Sequence, residues 1–174
     1  MSFTRSLGVA LLGVALSSSA FAQSNPATAA AKAQFGMIAG TLAKTAEKVP
    51  ENLYSFKATP EVRSIGQLIG HIADSQFSMC AAAAGEQAPQ SGIEKGKSSK
   101  ADLSKALNDS IAYCNKVIDG MNDQKGMEVI KFFTGPTPRL FVLAFNVAHS
   151  YEHYGNLVTY MRLNKIVPPS SAGN

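Results

Sequence analysis

Apolar residues recur at helical spacing along most of the chain, and no segment reads as part of a strand series. The first predicted helix covers about residues 27–48 and is ended by Pro50. Thr59-Pro60 supplies an N-cap followed by proline at the first helical position, which predicts a second helix that stops at Gly85. Its apolar side is expected to contain Val62, Ile65, Leu68, Ile69, Ile72 and Met79.

The third predicted helix begins where Ser99 is followed three residues later by Asp102, which is a weaker form of the capping box. It runs to about Ile118 and ends before Gly120. Residues 86–98, which precede it, are rich in glycine, serine, lysine and glutamine. This composition predicts a flexible connection between the second and third helices.

The fourth predicted helix begins at Thr137-Pro138, runs to about Asn164 and is closed by Pro168-Pro169. Residues 123–134 connect it to the third helix and contain several apolar side chains, so we expect this connection to pack against the helices. Four amphipathic helices with mostly short links predict an all-α fold, namely a four-helix bundle.

The first 22 residues have the order of a secretory signal peptide. Arg5 is their only charged side chain, an apolar run over residues 7–16 follows, and Ala20-Phe21-Ala22 is an A-x-A cleavage signal. We therefore expect cleavage after Ala22, which leaves residues 23–174 as one domain in the periplasm or outside the cell. The apolar run is too short to span a bilayer, so no stable membrane insertion is expected.

Composition and charge favour a globular protein with no nucleic-acid partner. Of the 174 residues, 45% are hydrophobic and 16% are charged, a balance unlike that of disordered chains. The net charge is +4, and the densest basic cluster, Lys95, Lys97 and Lys100, reads as a solvated loop. The expected partner is a small-molecule substrate or ligand, and the sequence leaves open whether the protein is a homodimer.

Cys80 and Cys114 are the only cysteines, and an exported protein could oxidise them. In a simple antiparallel hairpin of the second and third helices, the symmetry point lies near Gly92. Cys80 then opposes about Ser104, roughly 15 Å from Cys114 at helical rise. A bridge needs Cα atoms within about 7 Å, so this topology predicts two unbridged cysteines.

The three histidines of the chain lie on two apolar helices. His149 and His153 are four residues apart, so their imidazoles lie one turn apart on one face of the fourth helix. His71 lies on the second helix in a similarly apolar setting. The polar stripe that contains the pair comprises Asn146, His149, His153, Asn156 and Tyr160.

If the second and fourth helices face each other, His71, His149 and His153 can bind one divalent metal and leave a position open for water or substrate. Imidazole ligands suit Zn, Ni and Fe, and also Cu. Buried histidines with satisfied hydrogen bonds are the alternative, because an HxxxH pair on a helix is weak evidence alone. The candidate acid, base or orienting groups are Glu152, Asp74, Tyr151 and Tyr154, while Gln67, Asn146 and Asn156 could orient the ligand imidazoles.

Residues 149–153 also fit the pattern H-x-x-E-H of inverted zincins. Such peptidases need a further acidic ligand downstream. The 21 residues after His153 contain neither aspartate nor glutamate, so the pattern does not predict a peptidase.

Two segments resemble the DinB-like superfamily of metalloenzymes, which is distinct from the DNA polymerase of the same name. Residues 59–74 resemble the start of the family's second helix with its metal histidine, and residues 146–157 resemble its HxxxHxGQ-type signature. The resemblance implies a four-helix bundle with one divalent metal held by His71, His149 and His153.

The same resemblance implies a range of reactions, since characterised relatives include thiol-dependent S-transferases and an isomerase. This chain differs in having Asn156 where glutamine is common, and in its expected export, because the thiol cofactors of those relatives are cytosolic. We therefore expect a metal-dependent enzyme, hydrolase- or transferase-like, of unknown substrate. A non-catalytic metal- or ligand-binding envelope protein and a purely structural bundle are the alternatives.

Overall fold

The computed structural model of the protein describes residues 25–133 and 135–172, so the expected signal peptide, residues 1–22, lies outside the described residues. This part of the chain is mostly helical, with four long helices and two short ones, and it contains one β-hairpin. The elements are α1 (Pro26–Lys48), α2 (Ile65–Ala84), α3 (Ile93–Gly96), α4 (Lys100–Asp119), α5 (Asp123–Gly126), β1 (Val129–Phe132), β2 (Gly135–Pro138) and α6 (Arg139–Leu163).

The four long helices, α1, α2, α4 and α6, pack as a bundle around one apolar core. Each contributes a stripe of buried side chains at helical spacing, as the apolar pattern predicts. The most deeply buried large side chains include Phe35, Ile38, Leu42, Ile65, Ile69, Ile72, Phe77, Leu103, Leu107, Leu157 and Met161. None of the helices in the described residues is both long enough and apolar enough to cross a membrane.

Contacts along the helices fix their directions. On α1 and α4, Lys32 pairs with Asp119, and the Lys100 amine donates to the Val49 carbonyl 2.8 Å away, so these helices are antiparallel. The α2 and α6 helices are also antiparallel, because His71 meets His149 while Cys80, farther along α2, meets Asn146.

The α2 and α4 helices, in contrast, run parallel. A Cβ on Gly66 or Gly70 of α2 would lie 3.2 Å from a methyl group of Leu103, near the start of α4. Ser110 donates to Gln76 one to two turns farther on. The connection 85–99 therefore returns along the length of α2 before α4 begins.

This topology overturns the prediction that the cysteines are unbridged. Cys80 and Cys114 form a disulfide with their Cα atoms 5.3 Å apart, and both are fully buried. The prediction assumed an antiparallel hairpin with its symmetry point near Gly92. Because α2 and α4 run parallel, a residue of α2 lies beside the residue of α4 that follows it by the length of one helix plus the connection. For Cys80 and Cys114 this separation is 34 residues.

The disulfide belongs to a buried polar group that we call the disulfide layer: Gln76, Cys80, Ser110, Cys114, Asn146 and Ser150. The Asn146 amide nitrogen lies 3.5 Å from Sγ of Cys80 and 3.7 Å from Sγ of Cys114. The Ser110 hydroxyl donates to the side-chain amide oxygen of Gln76 over 2.9 Å. This layer joins α2, α4 and α6 in the middle of the bundle.

The second helix begins five residues later than predicted. Its N-cap is Ser64, whose hydroxyl accepts from the Gln67 backbone while the Gln67 side chain accepts from the Ser64 backbone. This reciprocal capping box satisfies two N–H groups, which the Thr59-Pro60 signal cannot match, so residues 59–63 form a turn. Val62, expected in the core, is 37% exposed.

A β-hairpin replaces the end of the predicted connection and the predicted start of the fourth helix. β1 and β2 pair antiparallel, with Val129 opposite Pro138 and Phe132 opposite Gly135. The expectation of no strands is therefore wrong at residues 129–138. Pro138 is the N-cap of α6, and Thr137 lies in β2.

The connection 86–98 is more ordered than its composition suggests. It contains α3, whose first residue, Ile93, is buried beneath the bundle surface. Both oxygens of the Asp74 carboxylate accept hydrogen bonds, from the backbone N–H groups of Ile93 and Glu94, each over 2.9 Å. The carboxylate thereby fixes α3 against α2.

Candidate metal centre

His71 of α2 and His149 and His153 of α6 converge at one point between these helices, and we call them the histidine triad. The Nε2 atom of His149 lies 3.0 Å from Nε2 of His153 and 3.3 Å from Nε2 of His71. The candidate ligand atoms all lie within 4.8 Å of one another. The structure thus brings together all three histidines that the sequence singles out.

The helices position the triad from opposite sides. His149 and His153 are one turn apart on the face of α6 that packs on α2, which is antiparallel to it. Gln76 and Ser150 are in contact one turn away, 3.5 Å apart, and hold the two helices close at this level. His153 is 6% exposed, and the His71 side chain is 21% exposed, so the site is partly open to solvent.

The acidic residue Glu94, which the sequence analysis missed, contacts the triad. Its Oε2 atom lies 3.0 Å from Nδ1 of His71, and its Oε1 atom accepts from Nε of Arg63 over 2.9 Å. With the proton on Nδ1, His71 donates to this carboxylate and presents the Nε2 lone pair to the other imidazoles.

Gly70 and Asp74 explain how Glu94 of α3 reaches this position. A Cβ on Gly70 would lie 2.8 Å from Cα of Glu94, so only glycine lets the α3 backbone lie this close to α2. Asp74 caps the same turn through its carboxylate. Asp74, predicted as a candidate acid or base, is therefore occupied in holding Glu94 beside His71.

The electrostatic surroundings keep the α6 histidines neutral. Burial lowers the pKa of His153 to about 4, assisted by the neighbouring His149 and His71. Burial and the His71 side chain also lower the pKa of His149. Partial burial raises the pKa of Glu94, but its hydrogen bond and ion pair with Arg63 and its contact with His71 outweigh this, and the net shift is downward.

The residues fit a divalent metal. A tetrahedral site with metal–nitrogen distances of about 2.0–2.1 Å puts two ligand nitrogens about 3.3 Å apart, close to the two shortest separations in the triad. Neutral imidazole is the form that ligates, and the lowered pKa values of His149 and His153 favour it. Among the described residues, the Nδ1 atoms of His149 and His153 have no hydrogen-bond partner.

A polar pocket of about 540 Å³ opens beside the triad. Its walls include His153, Arg63, Glu94, Glu152, Asn156 and Tyr160. Glu152 is thus the one predicted acid or base candidate that shares this pocket with a triad histidine. Asn156 also lies there, where it can contact a bound ligand.

The remaining candidates lie elsewhere. Tyr151 is 46% exposed and absent from the walls of this pocket. Tyr154 donates to Ser170 at the C-terminal turn, Gln67 caps α2, and Asn146 belongs to the disulfide layer. Their predicted roles as orienting groups of the triad have no support in these contacts.

The sequence pattern does not indicate Glu94 or Arg63, because both lie outside the helical stripes of apolar and polar residues. Glu94 is surrounded by the Gly/Ser/Lys-rich composition of a flexible connection, and Arg63 precedes the true start of α2. The available signal was the pair Gly70-His71, since a glycine inside a helix indicates close backbone approach.

Sequence comparison supports the architecture. The profile described as DinB superfamily matches residues 34–157, a stretch that includes the whole histidine triad. A search of curated proteins found no match to the chain.

Solved structures share the fold at low sequence identity. A DinB-like protein from Bacillus cereus has a TM-score of 0.69 and 15% identity, over 80% of this chain and 93% of its own. A DinB-like protein from Bacillus subtilis has a TM-score of 0.65 and 18% identity, over 78% and 92%. The mycothiol-dependent maleylpyruvate isomerase has a TM-score of 0.63 and 14% identity, over 75% and 60%.

Proposed function

The chain belongs to the DinB superfamily, and from this premise we propose that it binds one divalent metal through His71, His149 and His153 and acts as a metal-dependent enzyme on a small molecule. The observation that carries the proposal is the convergence of one imidazole nitrogen from each of three histidines on two helices, all within 4.8 Å of one another. Zn, Ni and Fe are the ions that suit this donor set best.

The purely structural interpretation fits the triad poorly. Buried imidazoles in a structural core are usually satisfied by protein hydrogen bonds. Here the Nε2 atom of His149 faces the Nε2 atoms of both His71 and His153, and one ring nitrogen can form only one good hydrogen bond with them.

The residues around the triad suggest a division of roles. A bound ion would polarise a substrate atom or lower the pKa of its bound water. Glu94 orients His71 through Nδ1, and Arg63 keeps the Glu94 carboxylate ionised. Glu152 and Tyr160, on the pocket wall, are positioned to exchange a proton with a ligand or to orient it.

The reaction class that we propose is hydrolase- or transferase-like. One structural relative is a mycothiol-dependent maleylpyruvate isomerase, so chemistry of that kind is compatible with the fold. The alternative of a non-catalytic binding protein is favoured by one observation, namely that Asp74 and Tyr151 are not available at the pocket. Turnover assays with thiols plus electrophiles, with esters and with amides separate the two.

Export is part of the proposal. It rests on the signal-peptide pattern of residues 1–22, and the buried disulfide is in keeping with an oxidising compartment. Mass spectrometry of the secreted or periplasmic protein should find an N-terminus at Gln23. An intact Met1 would contradict export by this route.

Metal titration of the purified protein tests the central claim. Calorimetry with Zn, Ni and Fe should give one equivalent bound, and His149→Ala/His153→Ala should lower the affinity more than about 100-fold. The double variant should remain helical, because the core stripes do not depend on these side chains. Thr159→Ala, an exposed change on the same helix, is the matched control. Equal binding by the wild-type protein and the double variant would refute the metalloprotein interpretation.

A further inference from the structure

Four phenylalanines form a partly exposed cluster at the junction of the hairpin and α6, and we call it the aromatic cleft: Phe132, Phe133, Phe141 and Phe145. They enclose a depression of about 100 Å³ lined by these four rings. Phe133 is 77% exposed, Phe141 54% and Phe145 39%. Such an exposed apolar cluster in a folded protein indicates a binding surface.

The rings are arranged around the cleft in two walls. Phe141 and Phe145, one turn apart on α6, are nearly parallel with centroids 6.5 Å apart. Phe132, at the end of β1, meets Phe145 edge-on, with ring centroids 6.2 Å apart. Its ring is tilted against that of Phe133, and their centroids are 4.3 Å apart. The hairpin thus supplies one wall and the helix the other, so the cleft is a product of the fold.

The cleft adjoins the histidine triad along α6. Phe141, Phe145 and His149 follow at intervals of four residues on one face of α6, and the rings of Phe145 and His149 are 6.4 Å apart. The polar pocket with Arg63 and Glu152 opens beside His153, the next histidine along the helix. A ligand at the triad therefore has a charged pocket on one side and an aromatic cleft on the other.

We propose that the aromatic cleft is a specificity subsite for the substrate of the triad, and that this substrate carries an aromatic or compact apolar group joined by a short linker to the metal-binding atom. At about 100 Å³ the cleft is smaller than the roughly 150 Å³ enclosed cavity that holds benzene, so it suits a single ring that is only partly buried. The exposed faces and edges of these phenyl rings favour contact with another aromatic ring. The inference rests on the proposed function, because the triad holds the other end of the ligand.

The experiment compares two metal-binding probes, 3-phenylpropanohydroxamic acid and acetohydroxamic acid, on zinc-loaded protein by calorimetry. The phenyl probe should bind at least about tenfold more tightly. Phe145→Ala should remove this preference and leave the affinity for acetohydroxamic acid unchanged. Leu163→Ala, which removes an even more exposed apolar side chain at the far end of α6, should change neither affinity.

Equal affinity of the two probes for the wild-type protein, or a preference that survives Phe145→Ala, would overturn the subsite. A wild-type dimer that Phe145→Ala dissociates, without any phenyl preference, would assign the cleft to contacts between copies and would also overturn it. If zinc does not bind, the proposed function fails but the subsite remains testable in metal-free protein. Fluorine NMR of 4-fluorobenzyl alcohol should then show line broadening that Phe145→Ala abolishes, and no broadening with the wild-type protein contradicts the proposal.

Discussion

The histidine triad lies between α2 and α6, whereas the disulfide layer joins these two helices to α4, and the two clusters meet the cost of burying polar groups in different ways. From His71 to Cys80 the distance along α2 is roughly 14 Å at helical rise. In the disulfide layer, a covalent bond joins the sulfurs, and Gln76 and Ser110 are hydrogen-bonded to each other. In the triad, the Nε2 atom of His149 lies 3.0 Å from that of His153 and 3.3 Å from that of His71, and one ring nitrogen cannot form a good hydrogen bond with both.

The two clusters therefore differ in accessibility, as expected of one that stabilises the bundle and one that binds a ligand. The disulfide layer is closed, with Gln76, Ser110 and Cys114 fully buried, whereas His71 and His149 remain partly exposed beside a pocket. Unpaired buried polar groups cost free energy that only a ligand or a proton can recover. The disulfide bond and the apolar core stabilise the helices that hold the triad, and this offsets the unfavourable free energy of the buried imidazoles.

The first way to test this comparison is to open the disulfide. Cys80→Ala/Cys114→Ala should lower the free energy of unfolding by about 2–4 kcal/mol, because the bridge closes a loop of 34 residues. Zinc affinity should change little, since the cysteines do not contact the triad. Urea unfolding and zinc calorimetry measure the two quantities. A large loss of zinc affinity in a folded variant would show that the two clusters are coupled.

The second test removes the support of His71. Glu94→Ala should weaken zinc binding by about 10- to 100-fold, because the imidazole loses the carboxylate that orients it. Glu94→Gln keeps an acceptor and should fall between the wild-type protein and the alanine variant. Glu61→Ala is the control, because Glu61 lines the same pocket and is exposed. Calorimetry with wild-type affinity for Glu94→Ala would exclude a positioning role.

The third and smallest expected effect is a dependence of stability on pH in the metal-free protein. Burial holds the pKa of His153 near 4 in the folded state, against about 6.5 in the unfolded chain. Between these values the unfolded chain binds more protons, so the free energy of unfolding should fall by about 1–2 kcal/mol as the pH falls from 6.5 to 4.

Thermal unfolding at a series of pH values checks this prediction. The His149→Ala/His153→Ala variant supplies the reference, because it retains the carboxylates that also titrate in acid. Its stability should decline less steeply between pH 6.5 and 4. Parallel profiles for the two proteins would show that the histidines do not carry the effect.

The features that could be predicted from the sequence are those that depend on the periodic spacing of apolar and polar residues. The four long helices, their core stripes and the face shared by His149 and His153 follow from spacing of three and four residues, and the structure confirms them. The predicted start of the second helix was wrong because two capping signals compete in this segment. Ser64 with Gln67 forms a reciprocal pair, whereas Thr59-Pro60 offers only a cap and a favourable first residue.

What the sequence could not supply is the direction of a helix. The composition of residues 86–98 indicates a loop but does not determine whether α4 runs parallel or antiparallel to α2. The bridging of Cys80 and Cys114 and the contact of Glu94 with His71 both depend on that choice. The hairpin was missed for a different reason, since Pro136 and Pro138 in β2 count against a strand.

The parallel path of α2 and α4 also sets a minimum length for the chain between them. The α2 helix has 20 residues and is about 30 Å long, so the segment 85–99 must cover that distance to return to its start. An extended residue spans at most about 3.3–3.6 Å, so a redesigned linker needs at least about nine residues. A shorter tether would force the helices into an antiparallel hairpin, which separates the cysteines and removes Glu94 from His71. Loop shortening, a common route to more robust bundles, is therefore limited in this protein to about six residues.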